Sequence, residues 1–163
     1  KMSRDLNLLH PQLQDLVPVF IQKCKEVGHD VIITCTGRDF KEQVALYAQG
    51  RQPLEETNKL RKIAKMQPIT AEANKKRVTW TLASRHIINL DDNIKSNDKA
   101  TAFDFAVVKN GKAIWDVKAD VDADGVSDYL ECAKIAQSLG LESGAFWKHK
   151  DFPHVQMFQK DIK

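Results

Sequence analysis

The sequence has no apolar run near the ~18 residues a membrane-spanning helix needs, so a membrane protein of the helical kind is not expected. Cysteine is scarce. The three present, Cys24, Cys35 and Cys132, are scattered and form no C-x-x-C pair. That excludes a disulfide framework and a cysteine zinc site, and leaves three small residues expected in the core. Seven glycines and five prolines are too few for a collagen-like or linker-dominated chain. Charge of one sign is also lacking: 25 basic residues stand against 22 acidic ones, a net +3. Over the whole chain this does not argue for a nucleic-acid partner. The stretch Lys1 to Asn7 carries no apolar signal-peptide core, so synthesis in a cytoplasm without a leader is the expectation. What remains is 163 residues, 42% apolar and 29% charged, which suits one globular domain over 1–163.

Periodicity places the elements. Leu13, Leu16, Val17, Phe20, Ile21 and Cys24 recur at three- and four-residue steps and predict a helix over Pro11 to Val27, with Pro18 kinking it or delaying its start. Asp30 to Thr36 is β-branched and reads as a buried strand, followed by a helix from Asp39 to Gln49. Residues 51–78 hold eight basic and three acidic side chains, a local +5, with a short amphipathic helix inside. A solvated insertion and a stripe for an anionic polymer are both open readings of it. Asn89 to Thr101 reads as an exposed loop. Ala102 to Val108 reads as a strand, Asn110-Gly111 as a hairpin turn and Ala113 to Val117 as the partner strand. A helix from Ser127 to Leu139 follows, and Gly144 to Trp147 and His154 to Phe158 are expected as short strands. The order predicts an α+β fold with a small antiparallel sheet and flanking helices.

Three residues stand out chemically. Asp104 interrupts the apolar strand Ala102-Phe-Asp-Phe-Ala106, where a carboxylate is costly unless paired or metal-bound. His86 lies next to a strand region, and His154 opens a strand three residues after Asp151. Two histidines and a carboxylate on neighbouring strands can make an open zinc site with water as the fourth ligand.

These residues belong to a longer pattern. Ser84-x-His86, Ala102-x-Asp104-Phe105, Trp147 and Asp151-x-x-His154 stand in order, preceded by Gly37-Arg38, Gln43, Leu46-Tyr47 and Gly50. The set resembles the LAS zinc peptidases (Hedgehog/D,D-peptidase-like), which include D-Ala-D-Ala carboxypeptidases and dipeptidases and the L-alanyl-D-glutamate endopeptidases that phages use as endolysins. The endolysin branch is the most similar. The resemblance implies zinc on His86, Asp104 and His154, with Asp151 as general base and Arg38 holding the scissile carbonyl and its developing oxyanion. Gln43 and Ser84 would line the substrate site. It further implies a monomeric hydrolase of the peptidoglycan stem peptide, with no separate wall-binding domain and no nucleic-acid or membrane partner. Such a lysin would be made in the host bacterial cytoplasm and act on the wall after release. A D,D-peptidase of the same fold and a non-catalytic wall- or calcium-binding module are the alternatives.

One spacing departs from the pattern. His86 and Asp104 are eighteen apart where the family writes seven, and Ala100 replaces its glycine. Asp91 and Asp92 are therefore rival ligands, and Asp104 is preferred for its strand setting. A second metal signal needs no family: Asp120, Asp122, Asp124, Asp128 and Glu131 occupy positions 1, 3, 5, 9 and 12 of a loop with Gly125 at 6. Together with the Val126 carbonyl, this is the calcium-loop pattern of an EF-hand. An acidic cap on the following helix is the alternative.

Overall fold

A computed structural model describes residues 3–88, 99–120 and 123–162. Helix α1 (Pro11–Glu26) starts under a His10 cap, whose Nδ1 accepts the Gln12 amide, and runs through exposed Pro18 without ending there. Strand β1 (Asp30–Cys35) leads into α2 (Phe40–Ala48), where Asp39 and Glu42 form a reciprocal capping box. Helix α3 (Leu54–Ile63) carries the basic insertion and buries only Thr57. Strand β2 (Ala102–Lys109) turns at Asn110-Gly111, both at positive φ (52° and 76°), into the short β3 (Lys112–Ile114). The partner strand thus ends earlier than the Ala113–Val117 expected. Helix α4 (Asp128–Ser138) is capped by Ser127 and followed by β4 (Leu141–Ser143). The strand expected over Gly144 to Trp147 is instead a single 3-10 turn, Gly144–Phe146, because the Ser143 hydroxyl accepts the Ala145 amide and bends the chain. Strand β5 (His154–Met157) closes the sheet. Among the described residues no helix is long and apolar enough to cross a membrane.

The sheet is antiparallel, ordered β1-β2-β5-β4 with β3 beside β2. Its two faces differ by the strand period of two. Phe103, Phe105, Val107, Val155 and Met157 point into the core under α1 and α4. Phe20 of α1 meets Phe103 and Phe105 edge-on at 5.6 and 5.1 Å. Tyr129 of α4 lies 5.5 Å from Phe105, and its hydroxyl donates to the Ile114 carbonyl and accepts the Val107 amide. The alternate residues of β2, Ala102, Asp104 and Ala106, face the other side. Two alanines flank Asp104 and leave room around its carboxylate. All three cysteines are free and buried, as their scatter implied.

Candidate active site

Register builds the site. Asp104 pairs directly with His154 across β2 and β5. On the other side, a bulge at the end of β1 shifts the pairing from Ile33↔Phe105 to Cys35↔Asp104. One extra residue there turns Cys35 onto the Asp104 row, a common use of bulges beside active sites. His86 arrives from a loop joined to the same corner by the Arg38↔Ile87 bridge, with the Arg38 amide donating to the His86 carbonyl at 2.8 Å. The rivals Asp91 and Asp92 lie outside the described residues.

His86 and His154 converge on one oxygen: His86 Nε2 and His154 Nδ1 each lie 3.2 Å from Asp104 Oδ1. Their far nitrogens are committed elsewhere. His86 Nδ1 donates to the Thr36 carbonyl at 2.7 Å, and His154 Nε2 donates to Gln156 Oε1 at 2.9 Å. These bonds fix the tautomers and turn two lone pairs toward a carboxylate that has none of its own protons to give. Such an arrangement requires added protons or a cation. The electrostatics agree: burial alone would lower the His86 imidazole, but the facing Asp104 carboxylate outweighs it and lifts His86 to about 10. Burial likewise pushes Asp104 up, and the two histidines overcome it, holding the carboxyl well below the ordinary range. The donor set, two imidazoles and a carboxylate with anchored far sides, fits a divalent metal of the zinc class. Cys35, His86 and Asp104 are the trio here whose ligand atoms share metal-ligand spacing, with Cys35 Sγ 3.7 Å from His86 Nδ1. That is the committed side of the ring, so Cys35 backs the site.

Arg38 is buried and held from two sides. Its Nη1 donates to Gln43 Oε1 at 2.8 Å, its Nη2 to Cys35 Sγ at 3.3 Å, and Nη2 stands 3.9 Å from Asp104 Oδ2. Its Nε is buried and has no hydrogen-bond partner among the described residues. Gln43, expected on the substrate wall, is fully buried behind Arg38. Its amide nitrogen donates to Thr79 Oγ1 and to the Thr81 carbonyl, so it holds the wall in place. Ser84 does line the cleft, where its hydroxyl accepts the His86 amide.

Asp151 lines the same cleft, a hollow of about 370 Å³. Its surface opens to solvent, yet the enclosing walls and then the Asp104 charge raise its pKa against the pull of His154, His86 and Arg38. A carboxylate raised in this way is suited to moving protons. Its position depends on Gly144: the Gly144 carbonyl accepts the Asp151 amide at 2.9 Å, and no side chain would fit between them. Trp147 packs its ring 5.1 Å from His154 and donates Nε1–H to Glu142. Two more residues line the cleft without belonging to the motif pattern: Trp80 is exposed, and His149, also exposed, stacks with it at 6.3 Å.

The acidic loop forms a second cluster on another part of the fold. Asp120 accepts the amides of Asp124 and Gly125 at 3.1 and 2.8 Å, while Ala123 and Gly125 take φ of 57° and 86°. Asp124 accepts the Val126 amide. Asp128 and Glu131 turn toward buried His29, at 3.8 and 3.2 Å, and the three form a second group with metal-ligand spacing. Burial and the neighbouring Asp124 raise the Glu131 pKa. Asp122 lies outside the described residues.

No family model matches the chain. The chain is 34% identical over 151 residues to the peptidoglycan L-alanyl-D-glutamate endopeptidase CwlK of Bacillus subtilis (strain 168), covering 91% of this chain and 73% of that protein. Among solved structures it resembles the crystal structure of the Serratia marcescens L-Ala D-Glu endopeptidase ChiX, with a TM-score of 0.52 at 19% identity. That match spans 99% of this chain and 91% of the other, and it shows a shared fold.

Proposed function

The chain belongs to the peptidoglycan L-alanyl-D-glutamate endopeptidase family, and from that premise we propose that it hydrolyses the L-alanyl-D-glutamate amide of the stem peptide at the bacterial cell wall. The observation that carries the proposal is the convergence of His86 Nε2 and His154 Nδ1 on Asp104 beside a buried arginine and a raised carboxylate. His86, Asp104 and His154 would hold zinc. When bound, zinc supplies Lewis acidity, making a water acidic near pH ~7 and polarising the scissile carbonyl.

The chain's own residues do the rest. Asp151 accepts the proton of the attacking water as its oxygen bonds to the alanyl carbonyl carbon. Arg38, pinned by Gln43 and Cys35, presents a fixed guanidinium to the charge that develops on the carbonyl oxygen. As the C–N bond breaks, Asp151 returns its proton to the leaving D-glutamyl amine, and an alanyl carboxylate remains. Purified peptidoglycan digested with the protein should yield new alanyl C-termini and D-glutamyl N-termini by mass spectrometry. Release of free D-alanine alone would point to D,D-peptidase chemistry and overturn this reading.

We further propose that the 120–131 loop takes calcium on oxygen donors from Asp120, Asp122, Asp124, the Val126 carbonyl, Asp128 and Glu131. Left-handed Ala123 and Gly125, and the grip of Asp120 on two amides, support it. In this reading His29 stays a neighbour of Asp128 and Glu131 and not a ligand, because an imidazole is a poor calcium ligand. Calorimetric titration into chelator-treated protein tests it. Absence of binding at millimolar calcium would reduce the loop to a helix cap.

A further inference from the structure

Trp80 is 68% exposed, yet it lines the same cleft as His86, Asp104 and Asp151. Ligand pockets are lined predominantly by apolar and aromatic side chains, which makes an indole inside the cleft a candidate ligand contact. The backbone around Trp80 is clamped on both sides. Arg51 donates from Nη1 to the Tyr47 and Thr79 carbonyls at 2.8 and 3.0 Å, and Gln43 donates to the Thr81 carbonyl at 2.7 Å. The fully buried Gln43 also grips Arg38, so one amide side chain sets both the catalytic guanidinium and the strand of chain that presents the indole. Around the ring, the guanidinium carbons of Arg51 and Arg77 lie 5.9 and 5.7 Å from its centroid, and His149 stacks with it at 6.3 Å. Among the described cleft-lining residues, only Asp104 and Asp151 carry carboxylates, and both belong to the catalytic end. The mouth is therefore flat, aromatic and basic.

The occupant follows from the chemistry of the proposed substrate, on which this inference rests. Toward its C-terminal side, the stem peptide offers carboxylates and flexible aliphatic chain. On the other side, alanine is joined through a lactyl group to an N-acetylated amino sugar, a rigid ring with an apolar face of C–H bonds. That ring is the one part of peptidoglycan near the bond whose flat face matches an indole, and its hydroxyl and acetamido oxygens suit neighbouring guanidinium donors. We propose that Trp80, with His149 stacked on it and Arg51 and Arg77 beside it, forms a saccharide subsite that binds the sugar bearing the stem peptide, so that the enzyme reads glycan as well as peptide.

The test compares two substrates: a disaccharide-tetrapeptide muropeptide and the same tetrapeptide without sugar. The wild-type protein should cleave both between alanine and glutamate, with the higher kcat/KM on the muropeptide. Trp80→Ala should raise the muropeptide KM about tenfold or more, leave kcat near wild type, and leave the free tetrapeptide unchanged. Trp80→Phe should keep part of the preference, and zinc content and melting temperature of both variants should match wild type. Equal losses on the two substrates, no loss on either, or no wild-type preference for the muropeptide would overturn the subsite. Cleavage of neither substrate by the wild-type protein would instead overturn the proposed activity, so the two failures are distinguishable.

Discussion

At the scale of single residues, the division of labour between ligand and base is decided by direction. His86 and His154 have their outer nitrogens tied to Thr36 and Gln156, so each can offer its inner lone pair only to the space beside Asp104. Asp151 lines the same cleft, while the converging atoms are His86 Nε2, His154 Nδ1 and Asp104 Oδ1. Asp151→Asn should therefore retain about one zinc per chain by elemental analysis while kcat falls roughly 10²-fold or more; loss of zinc would make it a ligand, and near-normal turnover would remove its role. His154→Ala should lose metal and activity together. A proton count checks the ligand side: His86, lifted to about 10 by Asp104, is protonated at pH 7 without metal and must release that proton to coordinate. Zinc uptake should then release at least one proton and tighten as pH rises from 6 toward 9, as calorimetry in two buffers of different ionisation enthalpy will show. The structure brings His86, Asp104, Asp151 and His154 to one cleft; they could be singled out beforehand because short motifs around each resemble the family's, even though the His86–Asp104 spacing departs from it. Cys35, Trp80 and the buried post of Gln43 were not, because each depends on which distant segment the fold brings against it.

At the scale of elements, the helices, the hairpin and the central strand could be read from periodicity and turn chemistry, since those are local properties of α1, α2, β2 and α4. The stretch after Ser143 resisted. Its sequence, Gly-Ala-Phe-Trp, is apolar enough for a strand, yet the Ser143 hydroxyl caps a 3-10 turn and the Gly144 carbonyl takes the Asp151 amide. The β1 bulge was equally invisible, because nothing in Ile33-Thr-Cys35 alone sets its register against β2. Both features serve the site: the bulge turns Cys35 toward Arg38, and the turn carries Asp151 to the cleft. Gly144 can be tested directly, since a Cβ there would collide with the Asp151 carbonyl oxygen and backbone must shift. Gly144→Ala should lower kcat tenfold to roughly a hundredfold through displacement of the base, with zinc content unchanged. Activity at the wild-type level would mean that the turn tolerates the shift without moving Asp151.

At the scale of the whole molecule, the two proposed metal sites would act on different properties. The proposed zinc ligands Asp104 and His154 sit on the sheet face turned away from the core, with His86 reaching them from a loop, and the acidic loop sits at the start of α4, which packs its buried Tyr129, Cys132 and Ala136 into the core shared with α1 and the sheet. Filling the loop should thus appear first in global stability. From Asp116 to Glu131 six acidic residues face one basic residue, Lys118, a local −5 that repels itself when empty. Burial, and then the Asp124 carboxylate, raise the Glu131 pKa against the pull of His29. A cation that binds only the folded loop stabilises by mass action, about 2.7 kcal/mol at a hundred times Kd. For a domain of this size that corresponds to a melting shift of roughly 5–11 °C. Scanning calorimetry of zinc-replete protein with and without calcium should show it, and Asp120→Ala should abolish the shift without altering zinc content. A wild-type shift that persists in Asp120→Ala would place calcium elsewhere. If calcium also raises turnover, α4 transmits order through β4 and the Gly144 turn to Asp151; if only the melting temperature moves, the loop is a structural clamp and the cleft is set by the sheet alone.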